Sequence, residues 1–351
     1  MTRPIPFSIG RFETADGPTF TAIVVDGRAI PLSTVMPSLA AETTLDDLLE
    51  EWPEQWKALK RSVAEYLGFE NGLRTADLKA LSPICRPRQI FCAGANYGRH
   101  LVEMMVAVGL GPVTDGMSDE EKRTFGEEYL ARQRREADPY VFMAPVTALA
   151  GPQDDFVLPK FSEKMDWEVE LGVVLGAPAY RVKRDEALKV VAGYVVVNDL
   201  TARDKVKRSD PGAIGPDWIA AKGGPGFLPV GPLFAPAEFV RNPHDLRLKL
   251  SVNGRVMQDD STSDMTFGID RQIEHISTYA KMLPGDLLCT GSPAGNGVAR
   301  GVFLKSGDVI EAEVEGLGRQ TIRCVESSQK MEASAKRKHP EVPGGRRHPR
   351  S

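Results

Sequence analysis

Cysteine is scarce and scattered: Cys85, Cys92, Cys289 and Cys324 are the only four in 351 residues, and no two form a CxxC pair. That spacing argues against a zinc ribbon or a disulfide framework and suits a reducing compartment, so a cytoplasmic location is expected. No run of about 18 apolar residues occurs, and the opening MTRPIPFSIGRF lacks the apolar segment of a signal peptide. Neither a membrane span nor secretion is expected. Nucleotide-binding signatures are also missing. Gly295-Asn-Gly297-Val-Ala-Arg-Gly301 fits a loose GxGxxxG pattern, but the following VFLKSGDVIEAEVEG reads as strand and turn, and KGGPGF has no GK[ST] ending.

What is present is a globular composition, 42% hydrophobic and 26% charged, long enough for two or three domains with a sizeable core. The formal net charge is −4 but unevenly spread. From Ser327 to Ser351 seven Lys and Arg face two Glu, so the tail carries +5 and the body before it −9. An acidic body argues against nucleic acid as a partner. The polar, Pro/Gly-rich tail reads as disordered and solvated.

The first 83 residues form a small α+β unit by pattern. Asp26-Gly27 marks a hairpin within TFTAIVVDGRAIPL, Thr44 caps a helix over LDDLLEEW, and Pro53 opens a second. In that second helix Trp56, Leu59, Val63 and Leu67 recur at helical spacing, with Gly68 as the stop. From Ile84 the chain turns to short strands, with a further hairpin at Asn253-Gly254. Such strand density without alternating long helices predicts a mixed or antiparallel sheet rather than a doubly wound one. One excursion, residues 105–139, interrupts the strands. Its helix opens on a Ser118/Glu121 capping box and is poor in apolar residues. A fixed surface helix and a mobile cover over a site both fit that composition.

Three pieces carry chemistry. In Asp166-Trp-Glu168-Val-Glu170-Leu-Gly172, strand alternation puts Glu168 and Glu170 on one face of a strand expected to be half-buried, where they are either solvated or compensated by a cation. The apolar strand GYVVVND ends in Asp199. An oxygen-only trio of this kind suits Mg²⁺ or Mn²⁺ rather than Zn²⁺. Third, His100 and Glu103 are helical neighbours in NYGRHLVE, and a carboxylate beside an imidazole orients it as a general base.

In order, FCAGANYGRHLVEM, DWEVELGVVLG, GYVVVNDLTARD, KGGPGFLPVGP, LSVNGRVMQ, LPGDLLCTGSPAGNG and GDVIEAEVEGLG resemble the fumarylacetoacetate hydrolase family, from Ile90 to Val325. The resemblance implies an α+β fold: a mixed β-sandwich or β-roll over residues 84–326, with the small N-terminal domain at 1–83 and the tail at 327–351. It implies a homodimer and one divalent cation, Mg²⁺ or Mn²⁺, on Glu168, Glu170 and Asp199. It assigns catalysis to His100, Glu103 and Lys222, and substrate binding to Arg203, Ser292 and Tyr97. Two departures fall where specificity is set: Gly224-Pro225-Gly226 replaces the family's Phe-Asp-Thr, and Val206 stands at a frequent Gln.

The implied activity is metal-dependent hydrolysis of a C–C bond in an acylpyruvate-like β-diketo acid, with water activated by His100 and Glu103. The same constellation also serves decarboxylation, hydration, dehydration or isomerisation of a 2-keto acid. A non-catalytic binding or scaffold member is the rival from another class.

Overall fold

Asp26 and Gly27 turn the chain at positive φ, 48° and 72°, and so join strands Thr19–Val25 and Arg28–Pro31 as the dipeptide predicts. Asn253 and Gly254, at 51° and 76°, do the same between Arg247–Val252 and Arg255–Ser261. The computed structural model describes residues 5–15, 17–108, 116–208 and 215–327. The expected basic tail beyond Ser327, and residues 109–115 of the excursion, lie outside the described residues.

Two open, mixed sheets dominate, with no closed barrel among the described residues. The larger has eleven strands and runs Leu73–Arg74, Arg28–Pro31, Thr19–Val25, Ser8–Glu13, Leu233–Pro236, Val191–Asn198, Val169–Leu175, Leu287–Cys289, Ile90–Ala93, Val141–Met143, with Lys79–Leu81 paired to Ser8–Glu13. The smaller has five, in the order Arg255–Ser261, Arg247–Val252, Val309–Val314, Gly318–Glu326, Phe156–Leu158. Strands Val169–Leu175 and Val191–Asn198 pack face-on against Val309–Val314, giving an α+β sandwich with its core between the sheets. Among the described residues no helix is long and apolar enough to cross a membrane.

Thr44 caps Leu45–Leu49 through a reciprocal box with Asp47, and the helix Trp52–Glu65 carries Pro53 in its first turn. Its reading needs one correction. The helix stops at Glu65, Tyr66 turns extended (φ −79°, ψ 125°), and Leu67 is 89% exposed rather than on the apolar stripe. Trp52 completes that stripe with Leu59 and Val63: it stacks on Trp56 at 5.3 Å and meets Phe234 edge-on at 5.5 Å. Gly176 lets it approach, since a Cβ there would stand 2.5 Å from the indole.

The helix Asp119–Glu136 begins at the expected Ser118/Glu121 box and docks on the helix Gly98–Val108. Contact is made at Gly126, opposite Val102 and Met105. Arg271 holds its far end by donating to the Arg134 carbonyl at 2.8 Å.

Candidate active site

Register brings the carboxylates together. Val169 pairs with Asn198, so Glu168 precedes one strand where Asp199 follows its neighbour. The Asp199 amide donates to the Glu168 carbonyl at 2.9 Å, and the Asn198 side-chain oxygen accepts from the Glu168 amide at 3.0 Å. With Glu170 one alternation further along, the three carboxylates offer oxygens within 4.8 Å of one another. They are 6%, 2% and 2% exposed, which corrects the half-buried expectation: this strand lies mid-sheet with both faces covered. The solvated reading of the pair is thereby overturned.

Two cations reach in. Lys222, at the end of the helix Trp218–Lys222, donates to Glu168 Oε2 and Asp199 Oδ2, each at 2.6 Å. Arg203 donates from Nη2 to Glu168 Oε1 at 2.5 Å and from Nε to Asp166 Oδ2 at 2.7 Å. Burial raises the Glu168 carboxyl, but Lys222, then Arg203 and His100, outweigh it and hold the group down at about 2. Among the described residues Glu170 forms no ion pair. Burial, then Asp199 and Glu168, push it well above the carboxylate range, and Lys222, followed by the Gly291 amide donating at 2.8 Å, offsets only part of this. Asp199 rises to about 6, mainly through burial, with Lys222 opposing.

The charges do not balance. Fully ionised, Glu168, Glu170, Asp199 and Asp166 would set four buried negative charges against the two cations Arg203 and Lys222, an excess of two. Asp199 Oδ1 is buried with no hydrogen-bond partner. A hard divalent cation fits this donor set by charge, ligand chemistry and the unsatisfied oxygen.

Tyr97 is fully buried beside Met265, and His100 lies one turn on in the helix Gly98–Val108. Burial drives the imidazole down to about 4, with Glu168 opposing and Arg203 and Lys222 reinforcing. Its Nδ1 is buried and unpartnered. Glu103 does not hold it: the Glu103 carboxylate accepts instead from the Gly295 amide at 2.8 Å. The Ser292 hydroxyl is 4% exposed and accepts from Gln258 Nε2 at 2.9 Å. Of the two departures, Gly224-Pro225-Gly226 forms a tight turn closed by the Phe227 amide on the Gly224 carbonyl at 3.1 Å, with Gly226 at φ 82°. Val206 ends the short helix Arg203–Val206.

Two residues that brace the site were not legible. Asp166, fully buried, accepts from Arg203, from the amides of Trp167 and Gly297 at 2.8 and 2.7 Å, and from Val298 at 3.0 Å. Gln258, also fully buried, accepts from the Val169 amide at 3.0 Å while donating to Ser292, and so ties the second sheet to the site. Only the unusual sight of an acid and an amide in otherwise strand-like segments hinted at either.

A family model described as fumarylacetoacetate (FAA) hydrolase C-terminal matches residues 89–325. The chain is 32% identical over 294 residues to the mitochondrial oxaloacetate tautomerase FAHD2A of Bos taurus, covering 83% of this chain and 82% of that one. Over 186 residues it is 44% identical to 2,4-didehydro-3-deoxy-L-rhamnonate hydrolase of Sphingomonas sp. (strain SKA58), covering 52% and 64%. In fold it superposes on the fumarylacetoacetate hydrolase of Exiguobacterium antarcticum with a TM-score of 0.69 at 23% identity, over 92% of this chain and all of that one. The carboxylate trio thus sits in the matched segment, and the chain belongs to the fumarylacetoacetate hydrolase family.

Proposed function

We propose that the protein is a metal-dependent hydrolase that cleaves a C–C bond in an acylpyruvate-like β-diketo acid. The observation that carries this reading is a buried histidine, His100, whose Nδ1 has no hydrogen-bond partner and which interacts electrostatically with Glu168 of the carboxylate trio. Glu168, Glu170 and Asp199 would hold Mg²⁺ or Mn²⁺, which when bound supplies Lewis acidity toward the keto-acid end. His100 takes a proton from the attacking water, a task its neutral form can perform throughout the neutral range. Glu103 serves by fixing the Gly295 turn against the His100 helix rather than by orienting the ring. Lys222 places positive charge where a pyruvate enolate develops. Arg203, Ser292 and Tyr97 line the substrate's position, Arg203 also fixing the Glu168 oxygen it touches. We propose, further, a homodimer in a reducing compartment, the cytoplasm, in keeping with four free cysteines.

A second reading is supported by the relatives named oxaloacetate tautomerases, which match most of the chain. There His100 would shuttle a proton between carbon and enol oxygen without water attack, and decarboxylation or hydration would use the same residues. A panel of acylpyruvates and oxaloacetate, with and without Mg²⁺, separates these. Loss of enol absorbance with pyruvate and a carboxylic acid released from an acylpyruvate supports hydrolysis, pyruvate with CO₂ from oxaloacetate supports decarboxylation, and loss without pyruvate supports the tautomerase. No turnover of any member favours a binding protein.

A further inference from the structure

Three aromatic rings stand beside the Lys222 end of the site; Phe142 packs against the edge of the core, and all three keep part of their surface exposed. The Phe142 ring stacks on the Trp218 indole with centroids 4.4 Å apart and planes 13° from parallel. The indole N–H of Trp218 donates to the Tyr140 hydroxyl at 2.8 Å, and the two rings lie 6.4 Å apart. Phe142 and Trp218 are only half-buried, and Tyr140 is 50% exposed.

Their placement follows from local structure. Tyr140 and Phe142 are two apart at the start of the strand Val141–Met143, so they share a face. Trp218 precedes Lys222 by four residues in one helix, so indole and ammonium share a face as well. The Lys222 ammonium lies 5.9 Å from the Phe142 centroid while bonded to Glu168 and Asp199. The rings therefore begin where the charged part of the site ends.

We propose that Tyr140, Phe142 and Trp218 form the platform for the distal end of the substrate, and that the protein selects 2-keto acids whose distal group is flat and unsaturated, such as an aryl group. This rests on the keto-acid reading given above. Along an extended carbon chain the third atom beyond the 2-keto carbon lies roughly 4 Å from it. A keto acid anchored among the carboxylates thus brings its distal group to the depth of Phe142. A flat ring gains stacking there as well as burial, whereas a methyl group gains little of either. The Tyr140 hydroxyl, oriented by the indole N–H, keeps the rim of the platform wetted.

The test uses 2-oxo-4-phenylbutanoate and 2-oxobutanoate, which lack the second carbonyl and so cannot be cleaved, with oxalate as a probe that has no distal group. Binding to the Mg²⁺-loaded full chain is measured by calorimetry, and by quenching of tryptophan emission for the wild type. The phenyl compound is expected to bind at least tenfold more tightly than 2-oxobutanoate and to quench emission. In Trp218→Leu and, separately, Phe142→Leu that ratio should fall severalfold, while oxalate affinity stays within about twofold. Equal affinity for the two compounds in the wild type, or an unchanged ratio in both variants, overturns the platform alone. Failure of oxalate and both keto acids to bind the wild type overturns the keto-acid reading and the platform with it.

Discussion

Glu103 and Gly295 meet through one hydrogen bond, the Gly295 amide donating to Glu103 Oε2 at 2.8 Å. That bond joins the helix of His100 to a turn whose next amides, Gly297 and Val298, donate to Asp166. His100 and the carboxylate-bearing strand are therefore tied to the same loop.

Replacement of Glu103 tests that arrangement. Glu103→Gln keeps an oxygen that can accept from Gly295, so kcat should stay within a fewfold of wild type. Glu103→Ala leaves the amide unpaired, a loss of about 1–3 kcal/mol, and should lower kcat by at least tenfold. A Gln variant as impaired as the Ala variant would show that the charge, not the bond, is what His100 needs.

Metal binding should be visible as stability. Adding Mg²⁺ or Mn²⁺ to metal-stripped protein at pH 7.5 should raise Tm, by the equivalent of about 2.7 kcal/mol at a hundredfold excess over Kd. Glu170→Gln puts a neutral isostere where burial and the acidic neighbours already disfavour the ionised carboxylate, so this variant should melt at least as high as wild type without metal. It should show little or no shift when metal is added. A full metal-induced shift in Glu170→Gln would remove Glu170 from the ligand set.

The pH dependence has a sign that follows from His100. Its folded pKa, about 4, lies below the ordinary 6.5, so the unfolded chain binds the extra proton between those values. This group therefore costs stability as pH falls from about 6.5 toward about 4 and costs nothing above. Asp199, raised to about 6, acts the opposite way, losing stability as pH rises from its ordinary value through about 6. Denaturant midpoints of wild type minus His100→Gln, measured from pH 4 to 8 without metal, should isolate the histidine limb as a relative decline below pH 6.5. A flat difference would mean that the imidazole is not buried neutral.

Gly295 should tolerate nothing larger. It sits at φ 105°, and a Cβ there would stand 2.1 Å from the Met257 carbonyl oxygen. Gly254 also has positive φ, 76°, but faces open space. Gly254→Ala should cost about 1–2 kcal/mol for its backbone alone, whereas Gly295→Ala should cost distinctly more and displace Glu103. Thermal melts of the two side by side check the difference.

Local signals explain what could be read in advance. Asp26-Gly27, Asn253-Gly254, Thr44 and Ser118 act within a few residues, so their turns and caps are written in the sequence. Strand alternation puts Glu168 and Glu170 on one side and an apolar strand ends in Asp199, but it is the family resemblance that joins the three into one site. Periodicity misled at Leu67, since spacing carries no information about where the backbone leaves the helix. Asp166 and Gln258 were hidden for another reason. Their partners Gly297 and Val169 lie 131 and 89 positions away, and only the folded register makes them meet. Glu103 was found in sequence, but its partner was not, because Gly295 competes with the adjacent His100 and wins.

The pairing of Ser8–Glu13 with Leu233–Pro236, Ile9 opposite Phe234, carries a practical consequence. A chain shortened to begin at Ile84 would leave that side of Leu233–Pro236 with open backbone amides and carbonyls and strip Trp52 from the Phe234 ring. Such an unprotected sheet edge recruits other chains. The first strand thus acts as a guard against self-association, and the carboxylate-bearing half expressed alone should aggregate even with every metal ligand intact.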